Sequence, residues 1–197
     1  MNRMLVNVVL GLSALLITAS ASAGTIKGKV SLAHARTLAD IVVYVDKAPG
    51  EFAPPKEHVV MNQKDLAFVP HVLPVVAGTS VDFLNSDQVL HNVFTPDKCA
   101  GKFNLGTWPK GEIRTVKFDQ LGCSPVLLCN VHPEMEGFVV VLQNPFFAVT
   151  DKTGMYSIPN VPEGKYTVKV WNRKFLTVTS QASVPKTGDV TCDLTLK

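Results

Sequence analysis

Seven consecutive residues, Cys129-Asn130-Val131-His132-Pro133-Glu134-Met135, hold a thiol, an imidazole and a thioether at spacings of three. Ligands so close in sequence meet at one ion only if the chain folds back, and the apolar run 138–142 just after Gly137 supplies a return strand. A second imidazole comes from His91, which follows the turn-like Asn85-Ser86-Asp87. Two imidazoles, a thiolate and a weak thioether make the trigonal donor set that suits a copper ion exchanging one electron. Glu134 and Glu136 flank Met135, so a carboxylate is the other candidate for the fourth position.

Such donors need a stiff frame, and the sequence reads as one made of strands. Short β-branched or alternating runs are expected at 26–30, 41–45, 73–76, 80–84, 92–95, 115–118, 126–129, 138–142, 146–150, 156–158, 166–171 and 190–196. Gly, Pro, Asp and Asn separate them, and no apolar period of 3.6 stands out, so an all-β sandwich architecture follows. Short helices have room only near 38–41 and 62–66. Period-2 alternation puts Leu127 and Cys129 on one face of their strand, and Val126 and Leu128 on the other. The return strand is apolar on both faces. An antiparallel sheet facing water would alternate, so this outer face should be covered by a second sandwich or another subunit.

The N-terminus reads as an export signal: Arg3, an apolar run over 8–17, then Ala21-Ser22-Ala23 as a cleavage site. The run is too short to span a bilayer, and no later segment is apolar enough to do so. With 19 Lys and Arg against 16 Asp and Glu, and only Arg3 lost with the signal, the mature chain carries 18 − 16 = +2. That near-neutral balance, without a basic cluster interleaved with aromatics, argues against nucleic acid. A periplasmic protein without a membrane span is expected. Four cysteines in an exported chain allow two disulfides, or a metal ligand and fewer bridges. Cys192 falls on the apolar side of its alternating strand and reads as a buried free thiol. His71 reads as structural or surface, in a strand remote from the ligand loop.

The stretch Phe68-Val69-Pro70, Leu73-Pro74-Val75, 78–83, Asn85-Ser86-Asp87 and His91-Asn92-Val93 resembles the cupredoxin family, and the Cys-x2-His-x2-Met loop is similar to the short loop of amicyanins. The resemblance spans about 61–142. It implies a Greek-key sandwich holding one type 1 copper, with His91, Cys129 and His132 as equatorial ligands and Met135 as axial ligand. It also implies that the Asn92 backbone N–H hydrogen-bonds the thiolate, and it brings Cys99 and Cys123 together as a disulfide. The tail resembles a carboxypeptidase-regulatory-like (transthyretin-like) sandwich, through Asp151-Lys152-Thr153-Gly154-Met155-Tyr156 and Val161-Pro162-Glu163-Gly164-Lys165-Tyr166. Its usual opening, Gly28-Lys29-Val30 with 41–45, lies far upstream.

The expected organisation is therefore a signal peptide at 1–23, a discontinuous regulatory-like sandwich at 24–55 and 146–197, and an inserted cupredoxin domain at 56–145. A tandem arrangement is the alternative. The function implied is one-electron transfer with an unidentified redox partner protein, in a protein that is not an enzyme and that is a possible homo-oligomer. A copper chaperone or store, or an envelope partner-binding protein with a structural copper, would use the same ligands. A copper oxidase would need more histidines than five.

Overall fold

The computed structural model describes residues 23–174 and 177–197. The export-signal expectation falls on residues 1–22, with only Ala23 inside the described part. No helix among the described residues is long and apolar enough to cross a membrane.

The described residues are all-β apart from one turn of 3-10 helix at Lys98–Ala100. Two strands open the chain, β1 (Ala23–Ser31) and β2 (Val42–Val45). Nine follow: β3 (Val59–Lys64), β4 (Ala67–Val69), β5 (Val72–Val76), β6 (Thr79–Asn85), β7 (His91–Phe94), β8 (Asn104–Trp108), β9 (Ile113–Phe118), β10 (Val126–Leu128) and β11 (Glu136–Leu142). The last six are β12 (Phe147–Val149), β13 (Met155–Pro162), β14 (Gly164–Trp171), β15 (Thr179–Val184), β16 (Asp189–Thr191) and β17 (Leu194–Thr195). Neither stretch with room for a short helix forms one. Residues 38–41 are turn, and 62–66 finish β3 and turn into β4, because Met61 and Gln63 alternate inward with the pleat.

Strand pairing keeps the middle nine strands apart from the rest. One sheet runs β5-β11-β10-β7-β8 and another β4-β3-β6-β9. Both line a single buried cluster that contains Met61, Phe83, Val93, Trp108, Leu127, Cys129, Met135 and Val139. The N-terminal strands pair only with the C-terminal ones, as β13-β1-β16 with β17 beside β1, and as β12-β2-β14-β15. These two sheets share a second cluster, including Ile26, Val43, Tyr156, Val168 and Leu194. Cys192 lies in it as a buried free thiol. Its carbonyl oxygen would stand 2.2 Å from a Cβ at position 28, so the close approach of β1 to this segment requires Gly28.

A third cluster joins the two halves. Val72, Phe138, Val140 and Leu142 from the outer face of β5 and β11 pack on Val42, Tyr44, Phe147 and Trp171. The apolar return strand is thus buried on both faces. Inward it carries Val139 and Val141, outward Phe138, Val140 and Leu142. The cover is the sheet containing β2. Val126 packs at the margin of that cluster, and Leu128 does not join it.

Cys99 and Cys123 form a disulfide, 24 residues apart in sequence. Cross-linking a loop of that length removes denatured-state entropy equivalent to about 3 kcal/mol. Replacing both cysteines with serine is expected to lower the melting temperature by about 6–12 °C for a chain of this size. Calorimetry checks it, and an unchanged midpoint would contradict it.

Candidate metal centre

His91 opens β7 with its side chain fully buried. The preceding loop is held by a polar frame. Asn85 donates from Nδ2 to the carbonyls of Val89 (2.8 Å) and Trp108 (3.0 Å), and its Oδ1 accepts the Asp87 N–H at 2.9 Å. Asp87 then does three things. Its Oδ1 accepts the N–H of Asp65 at 2.8 Å. Its Oδ2 accepts the N–H of Leu66 at 3.0 Å, and the same oxygen lies 2.9 Å from His91 Nε2. Desolvation pushes the Asp87 carboxyl up, but the hydrogen bonds from Leu66, His91 and Asp65 outweigh it and hold the group below its ordinary value. An ionised carboxylate accepts a hydrogen bond from Nε2–H, which leaves Nδ1 as the ring atom turned toward Cys129 and His132.

Asn92 ties the remaining pieces together. Its side chain donates to Asn104 Oδ1 (2.8 Å) and the Gly106 carbonyl (2.7 Å) on β8, while its Oδ1 accepts the Asn130 N–H at 3.2 Å. The Asn92 backbone N–H points at Cys129 Sγ, 3.4 Å away. Cys129 stands just past β10, buried and outside any disulfide. His132 is half-buried, between exposed Val131 and Pro133. The Met135 N–H donates to the His132 carbonyl at 3.0 Å, closing the turn, and the Met135 side chain enters the same buried cluster as Cys129. Gly137 follows because a Cβ there would meet the Phe68 side chain at 2.8 Å.

The structure brings His91, Cys129 and His132 together, with their donor atoms all within 4.8 Å of one another. The two Nδ1 atoms are 3.1 Å apart, and Sγ lies 4.0 Å from that of His91 and 3.9 Å from that of His132. Two nitrogens at that distance need one proton or one cation between them. A shared proton would leave the thiol idle; a cation uses all three groups. His91 Nδ1, His132 Nδ1 and Cys129 Sγ are the atoms that would hold such a cation, and copper there would supply one-electron chemistry. Two imidazoles and a soft thiolate are the donor set that suits it. The residues fit a copper ion of that kind.

Two features were not legible beforehand. Asp87 reads in sequence only as part of a turn, although its place four residues before His91 is the available signal for a carboxylate–histidine pair. His71 lies not in a strand but in the bend between β4 and β5, its ring edge-on to Phe138 with centroids 5.7 Å apart.

No family model matches this chain, and no curated protein matches it. Among solved structures, half of the chain is similar to cupredoxins. A reduced tryptophan-to-tyrosine mutant of amicyanin shares 22% identity, over 50% of this chain and 97% of that one, with a TM-score of 0.41. A purple cupredoxin from Nitrosopumilus maritimus shares 23% over 42% of this chain and 98% of that one, at 0.38. A copper-containing nitrite reductase from Thermus scotoductus SA-01 shares 25% over 49% of this chain and 25% of that one, at 0.39.

Proposed function

We propose that this chain is a periplasmic blue copper protein that carries single electrons, with His91, Cys129 and His132 as equatorial ligands and Met135 as the axial one. The convergence of two imidazole nitrogens and one thiol sulfur within 4.8 Å of one another carries this reading. Copper supplies one-electron cycling between its two oxidation states. The protein's part is to hold the donors still, so that neither state requires rearrangement. Asp87 fixes the His91 ring, and the Asn92 N–H faces the sulfur. Burial of His91 and Cys129 opposes ready exchange of the ion, which favours a carrier over a chaperone. The half-buried His132 is the route for electrons, and the exposed Val89 and Leu90 just before His91, with Val131 just before His132, offer apolar surface to a redox partner.

The organisation that goes with this function is a metal-bearing unit at 56–145 inserted into a sandwich built from 24–55 and 146–197, exported by a signal cleaved after Ala23. The strand pairings support the insertion. The visible and electron paramagnetic resonance spectra of Cu(II)-loaded mature protein test the site. Intense thiolate-to-copper absorption with a narrow copper hyperfine splitting is expected, and a spectrum typical of copper bound by nitrogen and oxygen alone would overturn the assignment.

Asp87→Asn keeps the shape of the side chain and removes its charge. Metal affinity is expected to fall by about 10–100-fold, the usual cost of losing a partner that orients a histidine ligand. The reduction potential should rise, because the more positive ion loses more from the missing negative charge. Competition with a chelator and voltammetry measure the two effects. An unchanged potential would show that the carboxylate is not coupled to the metal.

A further inference from the structure

A cavity of about 660 Å³ opens between segment 32–41, the start of β11 and the end of β14. That volume lies within the range of small-molecule sites, roughly 300–1,000 Å³. Aromatic rings form part of its lining. Phe138 and Trp171 lie tilted at 5.4 Å between centroids, with His71 edge-on to Phe138. Arg36, Arg173 and Lys174 line it as well, against the acids Asp40 and Glu136. Arg173 is committed: it pairs with Glu136, and its guanidinium lies 5.6 Å from the centre of the Phe138 ring. Among the described residues the exposed Arg36 and Lys174 side chains enter no ion pair. Of the lining acids Glu136 is paired with Arg173, so Arg36 and Lys174 outnumber the remaining acid, Asp40, and a flat ring bearing a negative charge complements the aromatic surface beside them.

We propose that this cavity binds a small aromatic carboxylate. The ring packs on the partly exposed Trp171, which Phe138 backs from within the buried cluster, and offset or edge-on contact adds to the burial of apolar surface. The carboxylate faces Arg36, whose planar fork matches its two oxygens, with Lys174 as a second charge. An inorganic anion would leave the aromatic surface unused, and a neutral arene would leave the cations unused. The site stands apart from the metal donors. Glu136 and Phe138 lie on the outer face of β11, whereas Met135 turns into the inner cluster, so the two sites lie on opposite sides of one strand. The inference therefore does not depend on the copper assignment.

The test is calorimetric titration of the full mature chain with benzoate, with and without copper. Saturable binding with a Kd of about 1 mM or tighter is expected, accompanied by quenching of Trp171 fluorescence. Benzamide and sulfate should each bind at least about tenfold more weakly, a difference of about 1.4 kcal/mol. Arg36→Gln combined with Lys174→Gln should weaken benzoate to a similar degree, and Trp171→Leu should abolish the quenching. Absence of saturable heat, equal affinity for benzamide or sulfate, or unchanged benzoate binding in the Arg36→Gln, Lys174→Gln protein would each overturn the proposal. Should Trp171→Leu fail to fold, the exposed Arg36 and Lys174 variants decide the matter alone.

Discussion

Cu(II) added to the Cys129→Ser protein is expected to produce no intense thiolate-to-copper absorption, whereas the Cys192→Ser protein should colour like the parent. The structure makes this contrast sharp. Cys99 and Cys123 are tied to each other, and Cys192 is buried in the cluster of the other two sheets. Cys129 is therefore the one thiol placed to complete the triangle with His91 and His132. Serine keeps the shape but loses the soft donor, so copper would be left with two imidazoles and would follow the harder ligand chemistry of nitrogen and oxygen. His91→Gly approaches the site from the other side. Removing a fully buried ring leaves a space of its own shape, and added imidazole should refill it and restore the band. A surviving band in Cys129→Ser, or imidazole without effect on His91→Gly, would place the metal elsewhere.

Val140→Asp should lower stability by about 3 kcal/mol or more, because it buries a carboxylate with no partner in an apolar cluster. For a chain of this length that is a fall in melting temperature of about 6–12 °C. Val140 is 2% exposed, and Val42, Phe138 and Leu142 belong to the same cluster. Its side chain points away from the copper face, since Val139 and Val141 occupy the inner cluster. The blue absorption should therefore persist at low temperature while protease susceptibility rises between the two halves. Loss of colour together with stability would mean that the inner and outer faces of β11 are not separable. Val126→Asp should do less, because Val126 is only half-buried at the margin of the same cluster.

Much of the candidate site was legible in the order of residues because its parts are local. Cys129, His132 and Met135 lie on one short loop, and alternation along 126–129 already aims the sulfur inward. The continuous apolar run at 138–142 announced that both faces of that strand would be covered. Linear order carried less about His91. Its distance of 38 residues from Cys129 is crossed only by pairing β7 with β10, where Leu128 stands opposite Phe94. Asp87 illustrates the limit. An acidic residue in a turn is common, and only the folded loop shows its carboxylate receiving His91 and two backbone N–H groups at once.

The stretch 62–66, where a short helix had room, shows the same boundary from the other direction. Propensity over five residues is weak, and parallel pairing of β3 with β6 overrides it. What the sequence by itself determined was the set of candidate donors, the inward turn of the thiol and the all-β class, since these follow from residue type and a period of two. Tertiary structure alone decided that the two imidazole nitrogens stand 3.1 Å apart. It also decided which sheet covers the outer face of β11, and that Phe138, Trp171, Arg36 and Lys174 share one cavity. Each of these joins segments distant along the chain, and no local period records which distant segment a strand will meet.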